Sequence, residues 1–174
     1  MPNWCDNTLY IESDEKTIKE LKEAIEKDEL LNYLVPMPKE LENTTAPSDT
    51  PNWYWWRVEE WGTKWEVKPE IAEDTSTSIQ MYFQSAWGPP LEAYNTFHDQ
   101  CIEKDIPIEI RATYIEWGMM FCGLWENGDD SHYQIPEDIE EAKLLPEDIL
   151  DEFQIIEELE MWAELDGEED YAIV

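Results

Sequence analysis

The chain has 174 residues, which suits one domain with its own core and leaves room for a terminal extension. Its 43 acidic residues outnumber its 11 basic ones, which gives a formal net charge of −32 at pH 7. This charge repels nucleic-acid phosphates and anionic lipids, so we expect basic proteins as partners and no direct nucleic-acid binding, unless the charge serves only to keep the protein in solution.

The amino-terminal part of the chain predicts a strand followed by a helix. Apolar and polar residues alternate over residues 7–12, which is typical of a strand with one buried face. Ser13 is the predicted cap of the helix that follows, in which apolar residues recur at helical spacing to about residue 28. Residues 30–34 continue helically, and a polar loop then extends to residue 52.

Residues 53–67 hold five of the ten tryptophans, a density that is typical of a core or an interface. Thr50 is the predicted N-cap of a helix in this stretch, and Gly62 is expected to end it in a left-handed conformation. Beyond the glycine, apolar and polar residues alternate again. We therefore predict a second strand over residues 65–71.

Alternation predicts four more strands, at residues 78–86, 107–116, 119–125 and 132–135, with a helix between the first two of them. The order β-α-β-β-α-β, with a helical insertion at about residues 30–62, predicts an α+β fold with a ferredoxin-like split βαβ antiparallel sheet. The two main helices are expected to cover one face of this sheet. The residues predicted to face them are Leu9, Ile11, Ile79, Met81, Phe83, Ile108 and Ile110.

Residues 136–174 are the predicted acidic helical extension, docked on a domain that comprises residues 1–135. Sixteen acidic residues and one basic residue, Lys143, lie within residues 137–170. One helix is predicted over residues 147–165, because its apolar side chains lie roughly on one side. That stripe consists of Ile149, Phe153, Ile156, Leu159 and Trp162. The glutamates predicted to stay in water and to contact a partner are Glu152, Glu157, Glu160 and Glu164.

Four segments form a distinctive combination: MPNWCDNTLYI at the amino terminus, LVPMPKEL at 34–41, EEWGTKWEV at 59–67 and SAWGPPLEAY at 85–94. Together they resemble the YubB-like ferredoxin-domain family of phage and plasmid proteins, over about residues 1–128. The resemblance implies a ferredoxin-like fold and an origin on a mobile genetic element. The family has no settled biochemical activity, so the resemblance supplies no catalytic residues.

Three cysteines, Cys5, Cys101 and Cys122, are far apart and include no Cys-x-x-Cys pair, which is unlike a disulfide framework or a zinc site. No stretch approaches the ~18 consecutive apolar residues of a membrane span, and no signal-peptide pattern opens the sequence. We therefore predict a cytoplasmic protein that does not bind membranes.

Catalytic motifs are lacking in this sequence, which has no GxxxxGK[ST], GxGxxG, HExxH or GxSxG pattern. The only histidines, His98 and His132, are widely separated in sequence. Carboxylates are so abundant that two of them close together in the sequence do not indicate a catalytic pair. We predict no catalytic residues, no metal site and no cofactor, and we expect that the protein is not an enzyme.

The segment WGTKW at 61–65 is the candidate for a small-ligand site. Lys64 lies between two tryptophans, and Trp87 is expected nearby in the fold. A functional interpretation makes Trp61, Trp65 and Trp87 aromatic walls around a lysine that binds an anionic group. In the structural interpretation, which we favour, Lys64 lies along an aromatic face or pairs with a carboxylate, while Trp61 and Trp65 fill the core.

The leading functional hypothesis is a non-enzymatic phage- or plasmid-encoded protein that binds a basic host protein. Its carboxylates would imitate DNA phosphates and inhibit a nucleic-acid-binding or defence protein. One rival is a small-ligand-binding or enzymatic module at residues 61–65, and the other is a structural accessory protein. An exposed row of carboxylates favours the leading hypothesis, whereas a deep aromatic pocket favours the ligand module.

Overall fold

The computed structural model describes residues 3–46 and 48–169, with side chains described as far as residue 165. Within these residues the protein has an α+β fold with a six-stranded antiparallel sheet and seven α-helices. The strands are β1 (Trp4–Ser13), β2 (Glu70–Asp74), β3 (Ser78–Ala86), β4 (Ile108–Glu116), β5 (Phe121–Glu126) and β6 (Asp129–Gln134). The helices are α1 (Glu15–Ile25), α2 (Leu30–Leu34), α3 (Trp53–Trp61), α4 (Leu91–Glu103), α5 (Ile139–Ala142), α6 (Glu147–Phe153) and α7 (Ile155–Glu169). None of the helices described has the length and apolar character needed to cross a membrane.

The strand order in the sheet is β2-β3-β1-β4-β5-β6. β1 lies in the interior of the sheet and pairs with β3 on one side and β4 on the other, without a break in register. β2 is an edge strand whose pairing with β3 shifts register between Ile71 and Glu73, and all of its residues are exposed. The frame of the sheet is therefore formed by β3, β1 and β4, while β2 is an exposed edge strand.

The first face of the sheet packs against α1, α2, α3 and α4. Alternate residues of the strands point toward these helices, as the sequence pattern predicts, and pack with the buried residues of the helices into one core. The strand residues in this core are Leu9, Ile11, Ile79, Met81, Phe83, Ile110, Ala112 and Trp125, with Ile108 partly buried beside them. The central part of this face, formed by β1, β3 and β4, is therefore covered by helices.

The second face of the sheet is covered in part by the carboxy-terminal helices. A second core joins β4 and β5 to α5, α6 and α7, and it consists of Ile115, Cys122, Ile135, Ala142, Ile149, Ile155 and Leu159. The Trp162 ring of α7 meets the Trp117 ring edge to face, with the ring centroids 4.9 Å apart. The part of this face that β1 and β3 form beside α6 stays open to solvent.

The single helix predicted over residues 147–165 is wrong, because two helices occupy this stretch. Gln154 adopts a left-handed conformation with a φ of 48° and separates α6 from α7. The break changes which side chains face the sheet, so that Ile155 is fully buried while Ile156 is only partly buried. The short helix α5 was not expected from the sequence. Residues 170–174 of the predicted extension lie outside the described residues, and the proposed domain boundary at residue 136 stays a prediction.

The second strand begins at Glu70, five residues after the predicted start, and ends at Asp74, three residues after the predicted end. The alternation over residues 65–67 belongs instead to an irregular segment. In this segment the Glu66 carboxylate accepts hydrogen bonds from the amides of Leu31 and Asn32, at 2.7 and 3.0 Å, at the start of α2. These bonds hold the segment against α2, a contact that no local pattern in the sequence reveals.

The ends of several other elements differ slightly from the predictions. Asp14 caps α1 and Asn52 caps α3, one residue after the predicted Ser13 and two after the predicted Thr50. At these positions a side-chain oxygen reaches the amides of the first helical turn. Gly62 follows α3 with a φ of 80°, the left-handed conformation predicted for it.

The second strand of the β5–β6 hairpin is longer than predicted. Asn127 and Gly128 form its turn with φ values of 49° and 103°, which agrees with the turn signal of this dipeptide. β6 begins directly after the turn rather than at His132, because pairing with β5 continues to residue 129. β5 itself begins at Phe121, two residues after the predicted start.

Replacing Ile149 by alanine should loosen α6 and α7 from the sheet, because Ile149 is fully buried in the second core and its loss leaves a cavity. We expect the free energy of unfolding to fall by roughly 2–5 kcal/mol and amide exchange in both helices to accelerate. Leu144→Ala is the control, because this side chain is 85% exposed. Equal exchange rates in the two variants would contradict the packing of α6 on the sheet.

Candidate functional site

Lys64 lies between two indole rings. Its Nζ is 3.8 Å from the centroid of the Trp65 ring and 4.3 Å from the centroid of the Trp87 ring. The structure thus brings together three of the four residues predicted for a small-ligand site. The fourth, Trp61, is only 1% exposed, and its Nε1 donates a hydrogen bond to the Val35 carbonyl oxygen at 2.9 Å in the core.

The aromatic walls that would surround a ligand at Lys64 are already in contact with the lysine itself. An ammonium group over an indole ring is attracted to the negative face of that ring. Trp65 and Trp87 both remain exposed, so Trp65 does not fill the core as the structural interpretation assumed. The arrangement engages the ammonium group within the protein and makes it less available to an anionic ligand.

A groove with a volume of about 870 Å³ opens on the second face of the sheet. Its aromatic lining residues are Trp4, Trp65, Tyr82, Phe83 and Phe153. Trp4 and Tyr82 are 45% and 46% exposed, and the Trp4 and Trp65 rings lie with their centroids 5.9 Å apart. This volume is within the range of known small-molecule sites, so we take this feature, named the groove below, as the candidate functional site.

The register of the sheet places polar side chains on the floor of the groove. Thr8 on β1 lies opposite Tyr82 on β3, and Asp6 lies opposite Gln84. On its other side Tyr82 pairs with Glu70 of β2. Directly paired residues have Cβ atoms roughly 4.5–5.5 Å apart. The floor is therefore a compact set of hydroxyl, amide and carboxylate groups that spans three strands.

Two carboxylates are held in the groove by uncharged donors. The Thr8 hydroxyl donates a hydrogen bond to Glu152 Oε1 at 2.7 Å. The Gln84 side-chain amide donates one to Asp6 Oδ1 at 2.8 Å. Because both donors are neutral, these bonds orient the carboxylates without cancelling their charge.

The lining of the groove is negative overall. It contains one ammonium group, that of Lys68, and four carboxylates, those of Asp6, Glu66, Glu70 and Glu152. Lys68 Nζ also lies 3.4 Å from the carboxylate of Asp28, so its charge is partly balanced elsewhere. Fixed charges of one sign in a concave site attract the opposite sign, and the groove therefore favours a cationic ligand.

Glu66 fixes the wall of the groove that carries Trp65. Burial raises the pKa of Glu66, while its bonds to the amides of Leu31 and Asn32 and the nearby charge of Arg57 act in the opposite direction. The same amide bonds join the irregular segment to α2. Glu66 is thus a structural carboxylate, and it supports the ring beside it.

The four glutamates predicted to contact a partner lie in two places. Glu157, Glu160 and Glu164 are exposed on α7. Glu152 is also exposed, but it lies on α6 beside the groove, where Thr8 bonds to its carboxylate. Glu152 therefore belongs to the groove, and the other three form a separate surface.

Sequence reasoning did not identify Trp4, Asp6 or Tyr82 as site residues. Alternation along β1 and β3 places them on the face opposite to Leu9 and Met81, so their shared face was available as a signal. Whether that face is buried, covered or open depends on where the carboxy-terminal helices pack. The local sequence does not contain this information.

A separate cluster of titratable side chains lies beside the β5–β6 hairpin. The Tyr114 hydroxyl donates a hydrogen bond to Asp130 Oδ1 at 2.8 Å and is 3.3 Å from His132 Nδ1. Burial, with a further contribution from Asp130, raises the pKa of Tyr114, so its phenol stays protonated at neutral pH. Among the residues described, no group of three His, Cys, Asp or Glu side chains is placed to hold a metal ion.

No family model, no curated protein and no solved structure matches this chain. The chemistry of the groove follows from its own side chains, which combine exposed aromatic rings with uncompensated carboxylates.

The three cysteines should be unreactive in the folded protein. Cys5, Cys101 and Cys122 are at most 2% exposed, and burial raises the pKa of each thiol, that of Cys122 to about 11. Because the thiolate is the reactive form, we expect Ellman's reagent to modify none of them at about pH 8, and all three after unfolding in guanidinium chloride. Reaction of any thiol in the folded protein would contradict this burial.

Proposed function

We propose that this protein acts without catalysis, by binding a basic protein through its acidic surface. The observation that carries the proposal is the row of exposed glutamates on α7, formed by Glu157, Glu160 and Glu164. Residues 137–170 contain a single basic residue, Lys143, and it pairs with Glu140 at 2.6 Å. Lys143 is also close enough to Glu160 to feel its charge, but the three exposed glutamates keep the α7 row negative overall.

The basic residues of the protein are largely engaged in contacts within the chain. Six of them pair with carboxylates: Lys16, Lys19, Lys22, Lys68, Arg111 and Lys143. Arg57 and Lys64 lie over indole rings instead. With a net charge of −32, the protein has a strong negative field that attracts cationic surfaces and speeds their association.

The spacing of the α7 row supports imitation of nucleic acid. Glu157, Glu160 and Glu164 follow one another at three and four residues, which places them about 4.5 and 6 Å apart along the helix axis. Phosphates of one DNA strand are ~3.4 Å apart along the duplex axis. The row is less dense than DNA but of the same order. We therefore propose a host nucleic-acid-binding or defence protein as the partner.

We further propose that the chain is a cytoplasmic member of the YubB-like ferredoxin-domain proteins of phages and plasmids. The order β2-β3-β1-β4, with helices on one face of the sheet, supports a ferredoxin-like classification, because a split βαβ repeat produces this arrangement. In this classification β5, β6 and the helices α5, α6 and α7 are additions to the shared fold. The acidic extension is then the part that gives this member its own partner.

The alternative of a ligand-binding or enzymatic module at residues 61–65 has less support. Two of its predicted walls, Trp65 and Trp87, already contact the ammonium group of Lys64, and Trp61 is buried. A structural accessory role would make no use of the exposed α7 row.

Charge reversal on α7 tests the proposal. The full-length protein and a variant with Glu157, Glu160 and Glu164 changed to lysine are used to capture proteins from a bacterial lysate, followed by elution with double-stranded DNA. We expect the unmodified protein to retain DNA-binding proteins at low salt, and to release them to DNA or to several hundred millimolar salt. The variant should retain about a tenth as much or less, because three charges of the contact change sign.

In a matched control variant, Glu26, Glu42 and Glu103 are changed to lysine, which gives the same change of net charge. These three residues are exposed and lie outside the acidic extension. The control variant should retain clearly more of the captured proteins than the α7 variant does. If the two variants retain equal amounts, the net charge of the protein alone explains the binding, and the specific role of the α7 row is wrong. Captured proteins that DNA does not displace would contradict the proposed mimicry.

A further inference from the structure

We propose that the groove binds an arginine side chain of the basic partner. Such a contact rests on the proposed function and would add a specific recognition site to the long-range attraction of the acidic surface. The groove lies between β1, β3 and α6, whereas the exposed glutamate row lies on α7. The two surfaces can therefore be varied separately.

Exposed aromatic rings give the groove walls that suit a cation. Trp4 and Trp65 line it with ring planes inclined at 37°, and Tyr82 lies on its floor. A cation within ~6 Å of such a ring centroid is attracted by the negative ring face. Trp65 already carries the Lys64 ammonium group, whose Nζ lies 3.8 Å from its ring centroid, so Trp4 and Tyr82 are the rings left for a ligand cation.

Carboxylates beside these rings provide the complementary charge. Asp6 and Glu152 accept hydrogen bonds from the uncharged side chains of Gln84 and Thr8, so both remain available to a positive ligand. A carboxylate has about four acceptor sites, and one hydrogen bond leaves most of them open. Glu70 adds a third carboxylate on the far side of Tyr82.

A guanidinium group fits this combination better than an ammonium group does. It is planar, it stacks on aromatic rings, and its five N–H donors can bond to more than one carboxylate at once. An ammonium group is compact and strongly hydrated, so it gains less from a flat aromatic wall. The volume of about 870 Å³ is sufficient for an arginine side chain together with its flanking residues.

Peptide binding to the full-length protein tests this site. The probes are a short peptide with three arginines, the same peptide with three lysines, and a version with citrulline, the uncharged counterpart of arginine. Binding is measured by calorimetry at low salt and by tryptophan fluorescence. We expect the arginine peptide to bind most tightly, the lysine peptide more weakly and the citrulline peptide not measurably.

Matched variants then locate the binding site. Glu152→Gln removes a groove charge but keeps an oxygen that can accept the Thr8 hydroxyl, and it should weaken the arginine peptide about tenfold. Glu26→Gln makes the same change of charge at an exposed residue outside both surfaces and should weaken it less than about twofold. Asp6→Asn and Tyr82→Leu test the floor of the groove without changing α6, and each should also weaken binding.

The possible results separate the groove site from the proposed function. Equal losses from Glu152→Gln and Glu26→Gln would overturn the groove site and leave the acidic-surface function standing. Equal affinity for the lysine peptide would overturn the assignment to arginine. Groove binding of the arginine peptide, without capture of any DNA-binding protein, would support the groove site and overturn the DNA-like partner.

Discussion

The pairing of β1 with a strand on each side is the constraint on which both the core and the groove depend. Side chains alternate along a strand, so Leu9 and Ile11 face the helices of the first core while Asp6 and Thr8 face the groove. A shift of one residue in the pairing would exchange these two sets of side chains. The continuous register with β3 and β4 therefore determines the interior and the candidate site together.

The carboxy-terminal helices are rich in acidic residues, yet they cover an apolar part of the sheet. Their carboxylates repel one another, which opposes compact packing. Full burial of an isoleucine side chain stabilises a fold by roughly 1.5–3 kcal/mol, and Ile149 and Ile155 are both fully buried in the second core. The change of direction at Gln154 allows α6 and α7 to contribute buried residues in turn, while glutamates of both helices remain at the surface.

Cations are scarce in this protein, and their placement explains why its two candidate binding surfaces remain negative. Most basic side chains contact a carboxylate of the same chain, and Arg57 and Lys64 contact indole rings. The carboxylates of the groove are oriented by neutral donors, and those of the α7 row are exposed. In the proposals above, the α7 row would attract positive charge at long range, and the groove would bind it by contact with aromatic rings.

The sequence by itself determined the elements of the first face, because strand alternation and helical spacing are local properties. It gave the bounds of β3, the residues of β1, β3 and β4 that face the helices, the left-handed Gly62, and the closeness of Lys64 to Trp87. Only the tertiary structure decided the start of β2, the break at Gln154 and the groove.

The physical reason is the separation along the chain of the residues that make these contacts. Glu66 reaches an amide 35 residues away, and Thr8 bonds to a carboxylate 144 residues away. Such contacts form only when whole elements pack together, and a local pattern of apolar and polar residues does not specify which of the distant elements will meet.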